Sequence, residues 1–443
     1  MKNNLKLLAL LPVLLLTSCN FTFEYKIEGL DFGGMGDQED DGIEDAGTYD
    51  IKVWVDDKIE NLTRTQIQTF VSENGGKYKL NVKVEPMSEG NATSSMLLDV
   101  QSGADIFCFA QDQLARLKVA GALAKMNDFY VSKIKEENSE DSVKAASLGH
   151  NIYAFPMTSD NGYFLYYDKR VFNADDVKNM STLLNKIKQH NDSTGSKDRL
   201  YFKAQSDGFY SASYFLAKET AGGEPLCHSN WTLDDETGKF LAVDDTFAGA
   251  NGLIAAKGIQ EINDKNLVVS SDNSANRFGN GAVAVVTGIW DYQTAVTRLG
   301  EENLGCAELP IYTVGGKDYH LGSFDGYKLM GVKPLRDQKK ASVCRKLARY
   351  LTGDVCQTQR FREVSWGPTN KKASERDEIK THKGLSALMA QHQYATQQGQ
   401  CPGAWFVSLS TMAKTITKDK SDADIQAVLD AYKKTLPDLL SED

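Results

Sequence analysis

Residues 288–292 read Gly-Ile-Trp-Asp-Tyr and follow directly on the small apolar run 282–287. Trp290, Asp291 and Tyr292 therefore stand where a buried strand is expected to end. Rings of this size offer flat apolar plates of ~150–250 Å². A carboxylate between them accepts hydrogen bonds from neighbouring hydroxyls. Such a set can grip a small polar molecule without making or breaking a bond. The pairing recurs along the chain. Trp54 precedes Asp57 and Lys58, Phe109 precedes Asp112, Asp160 precedes Tyr163, and Trp405 follows a Cys-Pro-Gly turn. Tyr210 is a further candidate ring. Each has a plainer structural alternative. Trp54, Phe109, Tyr163, Tyr210, Trp290 and Trp405 also suit a packed core. Asp112 also suits a helix N-cap, and Asp57 with Lys58 a solvated turn.

Other chemistries lack their residues. The six histidines are scattered, and no CxxC or zinc-spaced cluster occurs, so neither a metal nor a cofactor is expected. Cys108, Cys227, Cys306, Cys344, Cys356 and Cys401 read mostly as small buried hydrophobes. No GxxxxGK[ST] loop is present. Tyr166 and Tyr167 lie in a strand pattern, where successive side chains take opposite faces. That alternation argues against their sharing an iron. The net charge of −10 argues against nucleic acid or an anionic bilayer as the main partner.

The elements that must position these groups alternate between strand and helix. Strands are predicted over 48–55, 79–86 and 104–110, and helices over 58–74, 94–103 and 111–121. The order predicts an α/β fold with a mainly parallel sheet. Later, 341–353 places Val343, Leu347, Tyr350 and Leu351 on one helical face. Ser421 and Asp424 have capping-box spacing ahead of Ile425, Leu429 and Tyr432.

The N-terminus reads as an export signal. Lys2 and Lys6 precede an apolar run from Leu7 to Leu16, too short to span a bilayer of ~30 Å. Leu16-Thr17-Ser18-Cys19 resembles the lipobox of bacterial lipoproteins. The resemblance implies removal of residues 1–18 and a lipid on Cys19. Residues 19–48 are rich in glycine and acid and read as a flexible tether. The expected location is the outer face of the bacterial cell membrane, held there only by the lipid.

Several segments resemble, in order, a type II periplasmic binding protein of the maltose-binding class. They are 53–58, 104–129, 153–172, 278–292, 309–312, 366–372 and 399–416. The resemblance implies two lobes around a hinged cleft, with three crossovers near Pro156, Pro310 and Pro368. Lobe one is then expected over 49–158 and 311–368, and lobe two over 159–310 and 369–443. It further implies a carbohydrate ligand, membrane permease subunits of an ABC importer as partner, and a monomer. ATP hydrolysis would belong to that partner. Rings suit the C–H faces of a sugar and carboxylates its hydroxyl rim. Phe109 stands where the maltose binder has Trp, Gln113 where it has Arg, and Asp160 where a crossover Glu is found. Maltose itself therefore does not follow.

Other readings stay open at this level. A glycoside hydrolase would share the cleft and needs two carboxyls about 5 Å or roughly 6.5–9.5 Å apart. The same fold also accommodates a polyamine or peptide, or signalling to a membrane sensor.

Overall fold

The computed structural model describes residues 41–440, apart from 221 and 235. The expected signal sequence, Cys19 and most of the acidic stretch lie outside the described residues. Ten strands build the two sheets that matter here. They are β1 Gly47–Val55, β2 Tyr78–Pro86, β3 Ile106–Ala110, β4 Ala154–Thr158, β5 Phe164–Asp168, β6 Arg199–Tyr201, β7 Val268–Val269, β8 Ala282–Thr287, β9 Leu304–Ala307 and β10 Lys328–Val332. The first sheet has the order β2-β1-β3-β10-β4 and the second β7-β6-β8-β5-β9.

In the first sheet β1 runs parallel to β2 and β3, while β10 runs antiparallel to β3 and β4. The second sheet repeats this, with β6 parallel to β7 and β8, and β5 antiparallel to β8 and β9. The expectation of a mainly parallel sheet is thus corrected to two mixed sheets. The reason is topological. The antiparallel strand of each sheet is the one that arrives from the other lobe, so it enters in the opposite direction.

Local patterns carried through well. The helix Glu60–Glu73 buries Ile67 and Phe70, and Gln338–Leu351 buries Val343, Leu347, Tyr350 and Leu351. Ser421 and Asp424 form the predicted capping box, and the helix Asp422–Lys433 buries Ile425, Leu429 and Tyr432. Gly121 ends its helix with φ +69°, a conformation that favours glycine. The helix expected from 94 begins earlier, at Glu89, because Ser88 caps it. Tyr166 and Tyr167 take opposite faces of β5, each in a different apolar cluster. All six described cysteines are free thiols, five of them buried.

Two boundaries differ from expectation. The strands Ile311–Val314 and Lys317–His320 form a hairpin that pairs with Lys218–Glu219. That hairpin therefore extends the second lobe, and the chain returns to the first only at β10. At the third crossing, Asn370 bridges to Asn138, and Lys371–Ser374 packs on the helix Asp354–Val364 of the first lobe. The return to lobe two thus follows 374 rather than 368.

Residues 41–46, expected within the tether, are docked instead. Asp45 is fully buried and accepts bonds from Lys346 (2.8 Å), Ser342 (2.9 Å) and Tyr78 (3.0 Å), with Lys77 at 3.0 Å. Asp41 accepts from Ser342 at 2.9 Å. Residues 41–46 are therefore stitched to the first lobe beside β1. Burial alone would raise the Asp45 carboxyl, but Lys346, Lys77 and Ser342 hold it below the ordinary range.

Two measurements check this account. Asp45→Asn should cost about 2–3 kcal/mol in urea unfolding at neutral pH, since it removes the buried negative charge on which Lys346, Lys77, Ser342 and Tyr78 converge. His320, in the lobe-two hairpin, is 4% exposed, stacks on Tyr394 and donates to the Leu321 carbonyl at 3.0 Å. Burial lowers its pKa to about 4, although Glu308 lies 3.7 Å away. An unfolded histidine titrates near ~6.5, so the unfolded chain takes up this proton first as pH falls. The stabilisation is complete above that value and lost below it, by about 2 kcal/mol at pH 5. His320→Gln should shrink the stability difference between pH 7 and pH 5 by that amount.

Candidate functional site

The two sheets meet at their strand ends. β1 stops at Val55, β3 at Ala110 and β4 at Thr158, while β10 starts at Lys328 beside both Ala110 and Thr158. Across the gap, β8 stops at Thr287 opposite Phe164, where β5 begins. Carboxyl ends of strands at a reversal of strand order form the usual ligand crevice of open α/β sheets. The segment 159–163 joins one edge directly to the other.

Trp290 reaches this junction from lobe two. Gly288 is what lets it. A Cβ on Gly288 would lie 2.1 Å from the indole, so the ring folds back over a bare Cα. Tyr166 fixes the turn by donating to the Gly288 carbonyl at 3.0 Å. Asp291 accepts from the Ala275 N–H at 3.2 Å and the Thr287 hydroxyl at 3.4 Å. It orients the turn that carries Trp290. From lobe one, Lys58 donates to the Trp290 carbonyl at 2.8 Å. This bond ties the loop after β1 to the loop after β8. Asp57 is exposed beside Lys58.

Beneath Trp290 lies a buried charge cluster. The Lys328 ammonium is 3.1 Å from Glu89 and sits over the Trp366 ring at 3.9 Å and the Trp290 ring at 5.8 Å. Burial would lower its pKa, but Glu89, Asp160 and Asp56 hold it above the ordinary lysine value. Asp160 is 1% exposed and accepts the Gly367 N–H at 2.8 Å, bracing the first crossover against the third. Burial raises its pKa, only partly offset by Lys328. Its Oδ1 and the Trp366 indole N–H find no hydrogen-bond partner among the described residues. Asp56 caps the turn after β1, accepting from the Lys58 N–H at 3.0 Å. Burial and Glu89 raise its pKa.

A second seam holds Asp112. Gln111 accepts from the Tyr327 N–H at 2.8 Å, and Gln400 donates to the Gln111 carbonyl at 2.6 Å. Asp112 is buried next to this seam and accepts from Gln113 at 2.5 Å. Burial raises its pKa, and its Oδ1 has no partner among the described residues. Tyr210 is 6% exposed on the lobe-two side, against Tyr163 at 4.8 Å.

Several expected plates are corrected by their surroundings. Phe109 is fully buried in the first sheet beside Phe107, because its position in β3 points it into the helix layer. Trp54, 6% exposed, donates to Glu85 at 2.7 Å on the neighbouring β2, so its indole N–H is already taken within the first sheet. Tyr292 packs its ring, tilted by 53°, against His382 at 4.2 Å and donates to Glu301 at 3.0 Å. Tyr163 is fully buried and donates to the Phe209 carbonyl at 2.9 Å. Trp405 donates to Tyr432 at 2.8 Å inside the lobe-two core, against Phe247 and Trp231. Lys328, Glu89, Asp56 and Trp366 were not anticipated. A lone lysine heading the apolar run Leu329–Val332 is the one local sign of the first.

Residues 65–387 match the family of bacterial extracellular solute-binding proteins. The chain belongs to that family. No curated protein sequence matches it. Among solved structures it is similar to a protein solved with acarbose, at 24% identity and TM-score 0.74 over 89% of this chain and 100% of that one. It is similar to the maltodextrin-binding protein MalE1 of L. casei BL23, at 20% identity and TM-score 0.70 over 90% and 100%. It is also similar to the maltose/maltodextrin-binding domain MalE of Bdellovibrio bacteriovorus bound to maltotriose, at 18% identity and TM-score 0.70 over 89% and 100%. These likenesses establish the two-lobed binding-protein fold. The family is extracellular, and its members bind solutes. No helix among the described residues is long and apolar enough to cross a membrane.

Gly288→Ala tests how the solute-binding protein seats the Trp290 ring. The added methyl should displace the indole, seen as a shift in tryptophan emission and near-ultraviolet dichroism. Unfolding should change by less than about 1.5 kcal/mol, as the glycine's own φ of −92° suits any residue.

Proposed function

We propose that this protein is the extracellular carbohydrate-binding component of an ABC importer, anchored through lipid on Cys19. It binds a sugar or oligosaccharide between its lobes, closes, and presents the loaded body to permease subunits. It changes no bond in its ligand. The observation that carries this reading is the arrangement at the strand ends. The Trp290 ring lies above a floor where charged donors stand beside carboxylate acceptors. A sugar hydroxyl both donates and accepts, and a pyranose has an apolar C–H face, so such a floor and ring match both of its sides. The family, and the ligands borne by proteins of similar fold, support the same class.

Closure follows from where the contacts lie. Trp290 comes with lobe two, and Lys328, Glu89 and Asp56 with lobe one. A ligand that touches both sets favours the form in which they face each other. Asp160, between strands and crossover, links that floor to the hinge.

A thermal-shift screen of mono- and oligosaccharides tests the proposal, with maltodextrins included. At 100-fold excess over Kd a bound saccharide should stabilise the protein by ~2.7 kcal/mol. Trp290→Ala should remove that gain while leaving the empty protein's melting nearly unchanged. A protein shifted by no saccharide refutes the carbohydrate reading, and turnover of a bound oligosaccharide refutes the binding-only role.

A further inference from the structure

We propose that Lys328 makes the cleft select uncharged polyhydroxyl ligands and reject cationic ones. The inference rests on the carbohydrate reading above and assigns its charge selectivity to one side chain.

Without that lysine the floor would be an acidic pit. Glu89, Asp56 and Asp160 converge on it, and Trp366 and Trp290 turn ring faces toward the same point. Carboxylates with aromatic faces form the standard receptor for an organic ammonium. In this protein the receptor is already filled from within. Lys328 is 7% exposed, its ammonium 3.1 Å from Glu89 and 3.9 Å from the centre of the Trp366 ring. Its backbone is locked by pairing with Ala110 on one side and Thr158 on the other. A soluble amine would have to displace a tethered one.

The same arrangement suits hydroxyls. An ammonium donates only, and an ionised carboxylate accepts only. Lys328 beside Asp160 thus places a donor next to an acceptor. The Asp160 Oδ1 and the Trp366 indole N–H add one unpartnered acceptor and one unpartnered donor. Vicinal hydroxyls satisfy such a mixed set, whereas a cation leaves the donors facing it unpaired and repelled. Another lysine at this junction, Lys58, donates to the Trp290 carbonyl at 2.8 Å. The nearby Arg360 lies behind Asp160 and donates to the Leu351 carbonyl at 2.8 Å.

The test compares maltotriose with its three monoamino analogues, each carrying an ammonium in place of one primary hydroxyl, and with spermidine. Titration calorimetry at pH 7 is run on the full soluble chain as wild type, Lys328→Gln and Lys328→Arg. Wild type should bind maltotriose at least about tenfold more tightly than any amino analogue. Lys328→Gln should weaken maltotriose and move the preference toward the amino analogues by about tenfold or more, while Lys328→Arg keeps the wild-type order. A glutamine variant that weakens all saccharides equally overturns the assignment and leaves the carbohydrate reading standing. Wild type that binds amino analogues as well as maltotriose overturns it without any variant, so a misfolded variant does not rescue it. Tight spermidine binding by wild type, or no saccharide binding at all, overturns both.

Discussion

Each sheet is completed by a strand that the other lobe delivers. β5 leaves the first lobe to sit between β8 and β9, and β10 returns from the second to sit between β3 and β4. Both enter antiparallel, and both begin at the cleft edge. This constraint sets the rest of the architecture. Neither sheet closes its ladder without a hinge crossing, so the backbone hydrogen bonds of one lobe depend on the path taken through the other. Strand ends from both lobes are thereby gathered around the crossings, where a ligand and the hinge share residues.

Electrostatics follow from that gathering. Strand ends bring polar groups to a place the two lobes shield from water. Lys328 and Asp160 are buried there and Glu89 half-buried; Lys328 pairs with Glu89 and its charge also favours the Asp160 carboxylate. A charge in such surroundings is costly unless matched, and removing one partner strands the others. The cluster therefore serves as floor and as brace. Asp160 shows both duties in one side chain, with one oxygen on the Gly367 N–H and the other unpartnered.

Some of the proposed site was legible in local signals. Gly288 followed by Trp290 marked the turn at the end of β8, since a strand must leave its sheet where a side chain would block the turn. Asp160 was marked by its place in the first crossover. Phe109, Trp54, Tyr292 and Trp405 carried similar signals and are buried against neighbours within the lobes. An aromatic beside an acid looks alike whether its ring faces a neighbouring helix or a crevice. Which way it faces depends on neighbours beyond the reach of local sequence patterns, as Trp405 on Tyr432 and Phe247 illustrates.

Periodicity, capping residues and turn chemistry act within a few residues, so the chain alone determined most of its helices and strands and its α/β class. Sheet order, the late return at β10, the docking of residues 41–46 and the company kept by Lys328 were decided only in three dimensions. Each depends on pairing between segments far apart in sequence. Lys328 and Glu89 stand more than two hundred residues apart, and nothing in either neighbourhood encodes the other. Folding brings them to 3.1 Å because β10 must lie beside β3.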